Sequence, residues 1–579
     1  MAHMTQEDFD PKLGRIRGAR RGRAQRYATL VFRQAGKHAL RRKVHVSPEM
    51  PKRGMAAGAR AAAGLIAPGS RRVLVKARYT PIAGDLGAAR AHLRYVVRDG
   101  VTRKGKPGWL YDASGETVDA RLFLDRSEND PYQFRFVISA EEGARLSDLK
   151  PFIRDLVSQM ERDLDTKLDW VAADHFNTGH PHTHIVIRGR DDQGKNLVMA
   201  RDYIAYGVRA RAQSLLTLEL GPESELERLQ KLFNEIGQER LTRLDRALVA
   251  RAKNGILVIT SGEELDPTQQ TLQVRRLETL ERLGLAEQRQ PGVWALDPKA
   301  EDKLRRLGAR ADKFKMMHRA LREAGIERGA AAMALFERGA RKAPLMGRIV
   351  GIGLVDEISD HTWVVVDAVD GRVHYAELGR LGSANFPVRG SIVALVSDSL
   401  KTGRPSPTPR LQELSPVQLE EQIEYNGPTW LDQAIVSNWR PEAGMPGFAA
   451  DLQNALAARG RWLAEHQLAQ LSPAGVRPEP HMMRDLREAE MQRIVQDLCK
   501  RLNATFIATP PGNAISGIYD HSIATPTGKI AVIRRDDTFT LAPWKSALEP
   551  MRGHLVTGLV GPTRVTWTLD RGRGLPGRT

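Results

Sequence analysis

Hydrophobic and polar positions change period several times along the chain, and each change marks an element. From Arg71 the run RRVLVKARY is β-prone. DLGAARAHLRYVVRDG then places Leu86, Ala89, Leu93 and Val97 at helical spacing, with Gly100 as a stop. YQFRFVIS predicts a second strand leading into AEEGARLSDLKPFIRDLVSQMERDL, a helical region with acids early and Leu149, Ile153, Leu156 and Met160 on one face. LDWVAADH and HTHIVIRG predict neighbouring strands, joined by FNTGHP, whose Asn, Gly and Pro suit a tight reversal. In the later strand, alternation sends His182, His184 and Val186 one way and Thr183, Ile185 and Ile187 the other. Residues 71–225 therefore read as strands with crossing helices, an α+β sandwich.

The pattern then shifts. RLTRLDRALVARAKNG and TLQVRRLETLERLG predict short helices, the latter turning Val274, Leu277, Leu280 and Leu283 inward and ending at Gly284. LAEQRQPGVWAL adds a hairpin around Pro-Gly. Residues 226–312 are thus either a winged-helix-like DNA-binding region or a helical linker with a hairpin. A helical connector follows over 313–345, then a small antiparallel β-barrel over 346–412, alternating with period two around Asp370-Gly371. Residues 413–500 read as helical and 501–579 as a C-terminal β-rich domain with a basic tail. No internal repeat is legible. The fold class expected is multidomain α+β.

A chain of 579 residues exceeds one hydrophobic core, and its formal net charge of +19 points to a polyanionic partner. Basic residues thicken in KLGRIRGARRGRAQR, so residues 1–70 read as a flexible basic arm. Cys499 is the single cysteine, which excludes a disulfide framework, a thiolate zinc site and an iron–sulfur cluster. No apolar run approaches membrane-spanning length and the N-terminus lacks a signal-peptide core, so a cytoplasmic protein without membrane insertion is expected.

The chemistry concentrates in DHFNTGHPHTHIVIRG, which holds four of the fifteen histidines. His182 and His184 share a face, and the preceding strand delivers His175 from its end. Three neutral imidazoles around one point make a metal site with open positions for water and a substrate oxygen.

The order His175, six residues, His182, one residue, His184, followed by IVIRGR, resembles the third motif of HUH-type conjugative relaxases, the mobilisation P class most closely. HLRYVVRDG resembles the first motif of that class, and YQFRFVIS leading into an acidic helix adds to the likeness. RDYIAYGVRARAQSLLTLELGPESELE, TWLDQAIVSNW and SGIYDHSIATPTGKIAVI resemble long relaxases of integrative conjugative elements that carry a large C-terminal domain of unassigned function, so the likeness runs from about residue 71 onward. The resemblance implies an HUH endonuclease fold that nicks one strand at an origin of transfer, through a 5′-phosphotyrosine link, with a divalent metal (Mg2+ or Mn2+). The nucleophile falls on Tyr95, with Tyr79 and Tyr111 as neighbouring alternatives, and the metal ligands on His175, His182 and His184. A phenol of pKa about 10 costs ~4 kcal/mol to ionise at neutral pH, so the tyrosine needs such help.

Asn177 stands where many of the class have aspartate, leaving Asp174, or Asp169, as the carboxylate that would orient an imidazole, and His180 as a candidate proton shuttle. Ser139 occupies the place of a DNA-contacting serine, while SAEE also reads as a capping box with Glu142. DNA contacts are assigned to Arg98, Arg188, Arg275, Arg276 and Arg289. The implied partners are single-stranded and duplex origin DNA, relaxosome accessory proteins and a type IV secretion coupling protein, with export alongside the transferred strand. Three readings compete. Rolling-circle initiators and transposases share the triad; histidine-triad hydrolases share His-x-His-x-His, but with apolar residues where Pro181 and Thr183 stand; a DNA-binding or packaging protein needs only the charge.

Overall fold

The computed structural model describes residues 53–62, 69–82, 86–97, 102–103, 107–176, 181–259, 266–337, 343–355, 361–380, 387–397, 408–473, 475–561 and 565–568. The architecture is α+β with several sheets, and the chain divides into two compact units, the first closing at Asp312 and the second opening at Lys313.

In the first unit, helix α1 (Met55–Ala62) precedes strand β1 (Val73–Pro81), α2 (Gly87–Val96), α3 (Ala120–Arg126), β2 (Tyr132–Ala140), α4 (Lys150–Leu164), β3 (Trp170–His175), β4 (His182–Arg188) and α5 (Val208–Leu220). The four strands form one antiparallel sheet in the order β1-β2-β4-β3. Tyr111 extends it by one rung, exchanging backbone hydrogen bonds with Ala172 on the far side of β3. One face, with Val75, Phe134, Phe136, Ile185 and Trp170, packs with Ile153, Leu156 and Met160 of α4 and with α5 in the largest core. The other carries Val171, Ala173 and Val186 under Ala89, Leu93 and Val96 of α2 and Phe123 and Leu124 of α3. This second face holds the histidines.

Two expectations change here. The arm does not extend unbroken to residue 70: Arg53 donates to the carbonyl of Leu164 at 2.8 Å and to Asp191 at 3.1 Å, which docks the chain there before α1. Nor is Ser139 a helix cap. β2 continues to Ala140, paired with Val73, and α4 starts only at Lys150, so Ser139 is a strand residue facing His182, its hydroxyl donating to the Pro181 carbonyl at 3.4 Å.

Gly189 follows β4 directly. A Cβ there would lie 2.1 Å from the Tyr132 carbonyl oxygen, which cannot yield without parting β2 from β4. Gly189→Ala is expected to lower stability by about 1–3 kcal/mol, read as a lower denaturant midpoint.

The first unit continues with α6 (Glu225–Glu235), α7 (Arg243–Arg251), β5 (Ile256–Val258), α8 (Pro267–Arg282), β6 (Ala286–Gln290), β7 (Val293–Leu296) and the start of α9 (Ala300–Glu323). The predicted helices and the Pro291-Gly292 hairpin are present, and the strands pair in the order β5-β7-β6 around a core of Leu248, Leu277, Leu280, Leu285 and Trp294.

In the second unit, β8 (Met333–Leu335), β9 (Leu345–Leu354), β10 (His361–Ala368), β11 (Val373–Arg380), β12 (Ile392–Val396) and β13 (Arg410–Ser415) form a sheet ordered β13-β12-β9-β10-β11-β8. Its strands β9 to β13 pair antiparallel as expected, and β8, from the segment predicted as a helical connector, adds parallel to β11. Helices α10 (Leu419–Ile423), α11 (Trp430–Val436) and α12 (Phe448–Glu465), the hairpin β14 (Ala469–Ser472) and β15 (Gly475–Pro478), and α13 (Met482–Leu502) follow. The chain closes in the predicted β-rich region: β16 (Thr505–Phe506), β17 (Ala514–Thr525), β18 (Gly528–Arg535), β19 (Thr538–Pro543), β20 (Leu555–Val560) and β21 (Val565–Thr568), in the order β16-β19-β18-β17-β20-β21. Among the described residues no helix is long and apolar enough to cross a membrane.

Candidate metal centre

β4 is an inner strand of its sheet, and alternation along it turns His182 and His184 onto the same face. β3 pairs antiparallel with β4, placing His175 opposite His182 and Ala173 opposite His184. The three rings converge, with centroids 5.1 Å (His175–His182), 4.4 Å (His175–His184) and 5.3 Å (His182–His184) apart, and one nitrogen of each lies within 4.8 Å of the others. All three are buried.

The tautomer of His175 is set by the backbone. Its Nε2 lies 2.6 Å from the Val96 carbonyl oxygen; a carbonyl only accepts, so Nε2 carries the proton and the lone pair sits on Nδ1. Tying the far nitrogen of a ligand histidine to a carbonyl is how metal sites orient imidazoles. The donor set therefore fits a divalent metal of borderline character, held by His175, His182 and His184.

Val96 ends α2, the helix of Tyr95. Tyr95 is half-buried and packs with the core shared by Leu93, Val171, Ala173 and Val186, on the histidine face of the sheet. The two alternative tyrosines belong to the opposite face. Tyr79 pairs with Phe134 and meets the Tyr132 ring edge-on at 6.3 Å. Tyr111 is buried and donates to Asp174 Oδ1 at 2.8 Å; burial, and then the Asp174 charge, push its phenol well above the usual range, the wrong direction for a nucleophile.

The orienting carboxylates proposed from sequence do not serve that role. Asp174 neighbours His175 in sequence, so the strand turns it to the other face, where Tyr111 and Thr183 (2.6 Å) donate to it. Burial raises its carboxyl to about 6 although both hydroxyls hold it down. Asp169 is taken by Arg126, at 2.8 and 2.9 Å, and by Arg188 at 3.0 Å. Arg188 also grips Asp130 with two bonds of 2.9 Å, so its guanidinium is committed to bracing the sheet's end. Arg276 is withdrawn from DNA: it is fully buried and bidentate to Asp245 at 2.8 Å. Arg275 and Arg289 are exposed as expected, Arg289 forming a surface pair with Glu287 at 2.9 Å. Arg98, Asn177 and His180 lie outside the described residues.

Two features were missed. His92, three residues before Tyr95 and so on the same side of α2, is buried and meets His184 edge-on with centroids 6.2 Å apart. Its signal was the spacing in HLRY, helical i, i+3. Register also places Lys76, Arg78 and Arg135 of β1 and β2 on the histidine face, with no acid at any position of the four strands on that face. Alternation through VLVKARYTP and YQFRFVISA carried that signal.

Sheet, helices and centre define a multidomain α+β protein with a buried three-histidine cluster next to a helix end. Residues 273–407 and 402–576 match the family model described as protein of unknown function (DUF3363), together more than half of the chain. The chain belongs to that family. The match begins inside α8 and leaves the histidine sheet outside it. No curated protein and no solved structure matches the chain.

Proposed function

We propose that this protein is a DNA relaxase with an HUH-type nuclease domain, nicking one strand at an origin of transfer during conjugative transfer. The observation that carries the reading is the convergence of His175, His182 and His184 within 4.8 Å beside the carbonyl that ends the helix of Tyr95. A divalent metal ion bound there supplies positive charge to a scissile phosphate. The chain's own residues do the rest. The half-buried Lys76 and Arg78 of β1, on the histidine face, give it a field that suits a phosphate backbone.

Tyr95 Oη attacks phosphorus, its proton leaving to solvent, and the bond from phosphorus to the 3′ oxygen breaks. That oxygen takes up a proton and becomes a free 3′ hydroxyl, while the 5′ phosphate stays on the tyrosine as an ester. The ester keeps the energy of the broken bond, so attack by a 3′ hydroxyl reverses the step and rejoins the strand. Accessory relaxosome proteins and a secretion coupling protein are the partners such a role requires.

The test uses the full chain with labelled single-stranded oligonucleotides tiled across a transfer origin. A nick and a covalent protein–DNA adduct are expected with Mn2+ or Mg2+, both lost on chelation and restored by added metal. Full cleavage in chelator overturns the reading.

A further inference from the structure

The structure contains an internal repeat that the residue pattern hides. In the first unit, Thr242 caps α7 in a reciprocal box with Asp245; in the second, Thr429 caps α11 in the same box with Asp432. The segments Thr242–Val249 (TRLDRALV) and Thr429–Val436 (TWLDQAIV) agree at five of eight positions.

Each aspartate is gripped by a fully buried arginine from the next helix. Arg276 Nε and Nη2 both reach Asp245 at 2.8 Å; Arg459 reaches Asp432 at 2.8 and 2.9 Å. The remaining guanidinium hydrogens go to matching carbonyls, six, four and two residues before the capping threonine: Ile236, Gln238 and Arg240 for Arg276, and Ile423, Tyr425 and Gly427 for Arg459. Both helices end with a positive-φ residue, Gly284 or Gln467, closed by a 2.8 Å bond from Leu285 to Leu280 or from Leu468 to Leu463. A hairpin and a further helix follow in each.

We propose that these are two copies of one winged-helix module, and that the first alone presents its second helix to the groove of duplex DNA. In α8, Thr268, Thr271, Arg275, Glu278 and Arg282 form one exposed stripe, and Arg289 stands on the exposed hairpin strand beside it. The hydroxyls suit base edges and phosphates, and the arginines suit phosphates or guanine. The corresponding stripe of α12 is Asp451, Asn454, Ala458, Arg461 and Glu465. It carries two acids to one arginine, where the α8 stripe carries two arginines to the single acid Glu278, and Asp451 is engaged by Arg348 of β9 at 3.0 Å. The second copy also shares its core with Ile392, Met346 and Leu414 of the neighbouring sheet, whereas the first has a core of its own. The same scaffold thus serves as a reader in one place and as a bracket in the other. This rests on the reading that the chain acts on DNA, not on the nicking chemistry.

The test compares full-length Arg275→Ala/Arg289→Ala with Arg461→Ala on a short fluorescent duplex of mixed sequence. With a log–log salt slope of about −0.9 per phosphate contact, the double variant is expected to flatten the slope by roughly two units, and Arg461→Ala to leave it unchanged. Arg275→Lys/Arg289→Lys keeps the charge and is expected to keep the slope, which separates lost contacts from misfolding. An unchanged slope in the alanine double variant, equal flattening by Arg461→Ala, equal loss of single-strand binding, or no duplex binding by the unmodified chain overturns the inference. The single-strand nicking assay, which does not use this surface, still decides the relaxase reading independently.

Discussion

Tyr95→Phe is expected to yield no covalent protein–DNA adduct under conditions in which the unmodified chain gives one, while single-stranded DNA still binds within a few-fold. The change removes one oxygen and leaves the ring that packs with Leu93, Val171 and Val186, so the helix and the histidine centre stay in place. The two tyrosines weighed against it are badly placed, because Tyr79 and Tyr111 belong to the opposite face and Tyr111 is held as a neutral donor to Asp174. Loss should therefore fall on the chemical step and not on binding. Peptide mapping of the adduct checks the assignment directly. An adduct that survives in the variant, or that maps to Tyr79 or Tyr111, removes Tyr95 from the role.

The largest structural effect is expected from Arg276→Ala and Arg459→Ala. Each removes a fully buried guanidinium and leaves its carboxylate, Asp245 or Asp432, without its cation in a dry interior, along with carbonyls that lose their donor. Breaking one side of a buried pair costs about 3–5 kcal/mol. Lysine does not rescue, since a tetrahedral ammonium cannot fork onto a carboxylate and reach several carbonyls together. Hydrogen exchange resolves the two sites. Arg276→Ala should strip protection from α7 and α8, and Arg459→Ala from α11 and α12. Unchanged protection in either pair would mean that the lock contributes little there.

The histidine cluster was legible because strand alternation is a rigid rule: once HTHIV is a strand, His182 and His184 share a face, and an antiparallel neighbour ending in His175 completes the cluster. What orients His175 was not legible. Its partner is a backbone carbonyl 79 residues away, and carbonyls leave no mark in a sequence. The partners of Arg188 were not legible for a related reason, since Asp130 and Asp169 come from other elements. Arg276 was a failure of phase. Leu272 and Leu280 lie four residues before and after it, so the helical period places it inward, but its charge argued for solvent. Reading Thr-x-x-Asp ahead of it as a cap awaiting a partner would have signalled the lock, and the same four-residue sign at Thr429 would have exposed the repeat.

The stopping point of α2 has a consequence for how strongly His175 would donate to a metal ion. The last carbonyls of a helix carry the concentrated negative end of its dipole, so His175 donates to a strong acceptor, and electron density is pushed through the ring toward Nδ1. Were α2 to run on by a turn, the Val96 oxygen would be claimed by a backbone N–H four residues later and the imidazole would lose its anchor. Helix length thus works here as a tuning peg for a donor atom on a different strand, and an edit that merely shifts the helix terminus would detune the centre with every histidine intact.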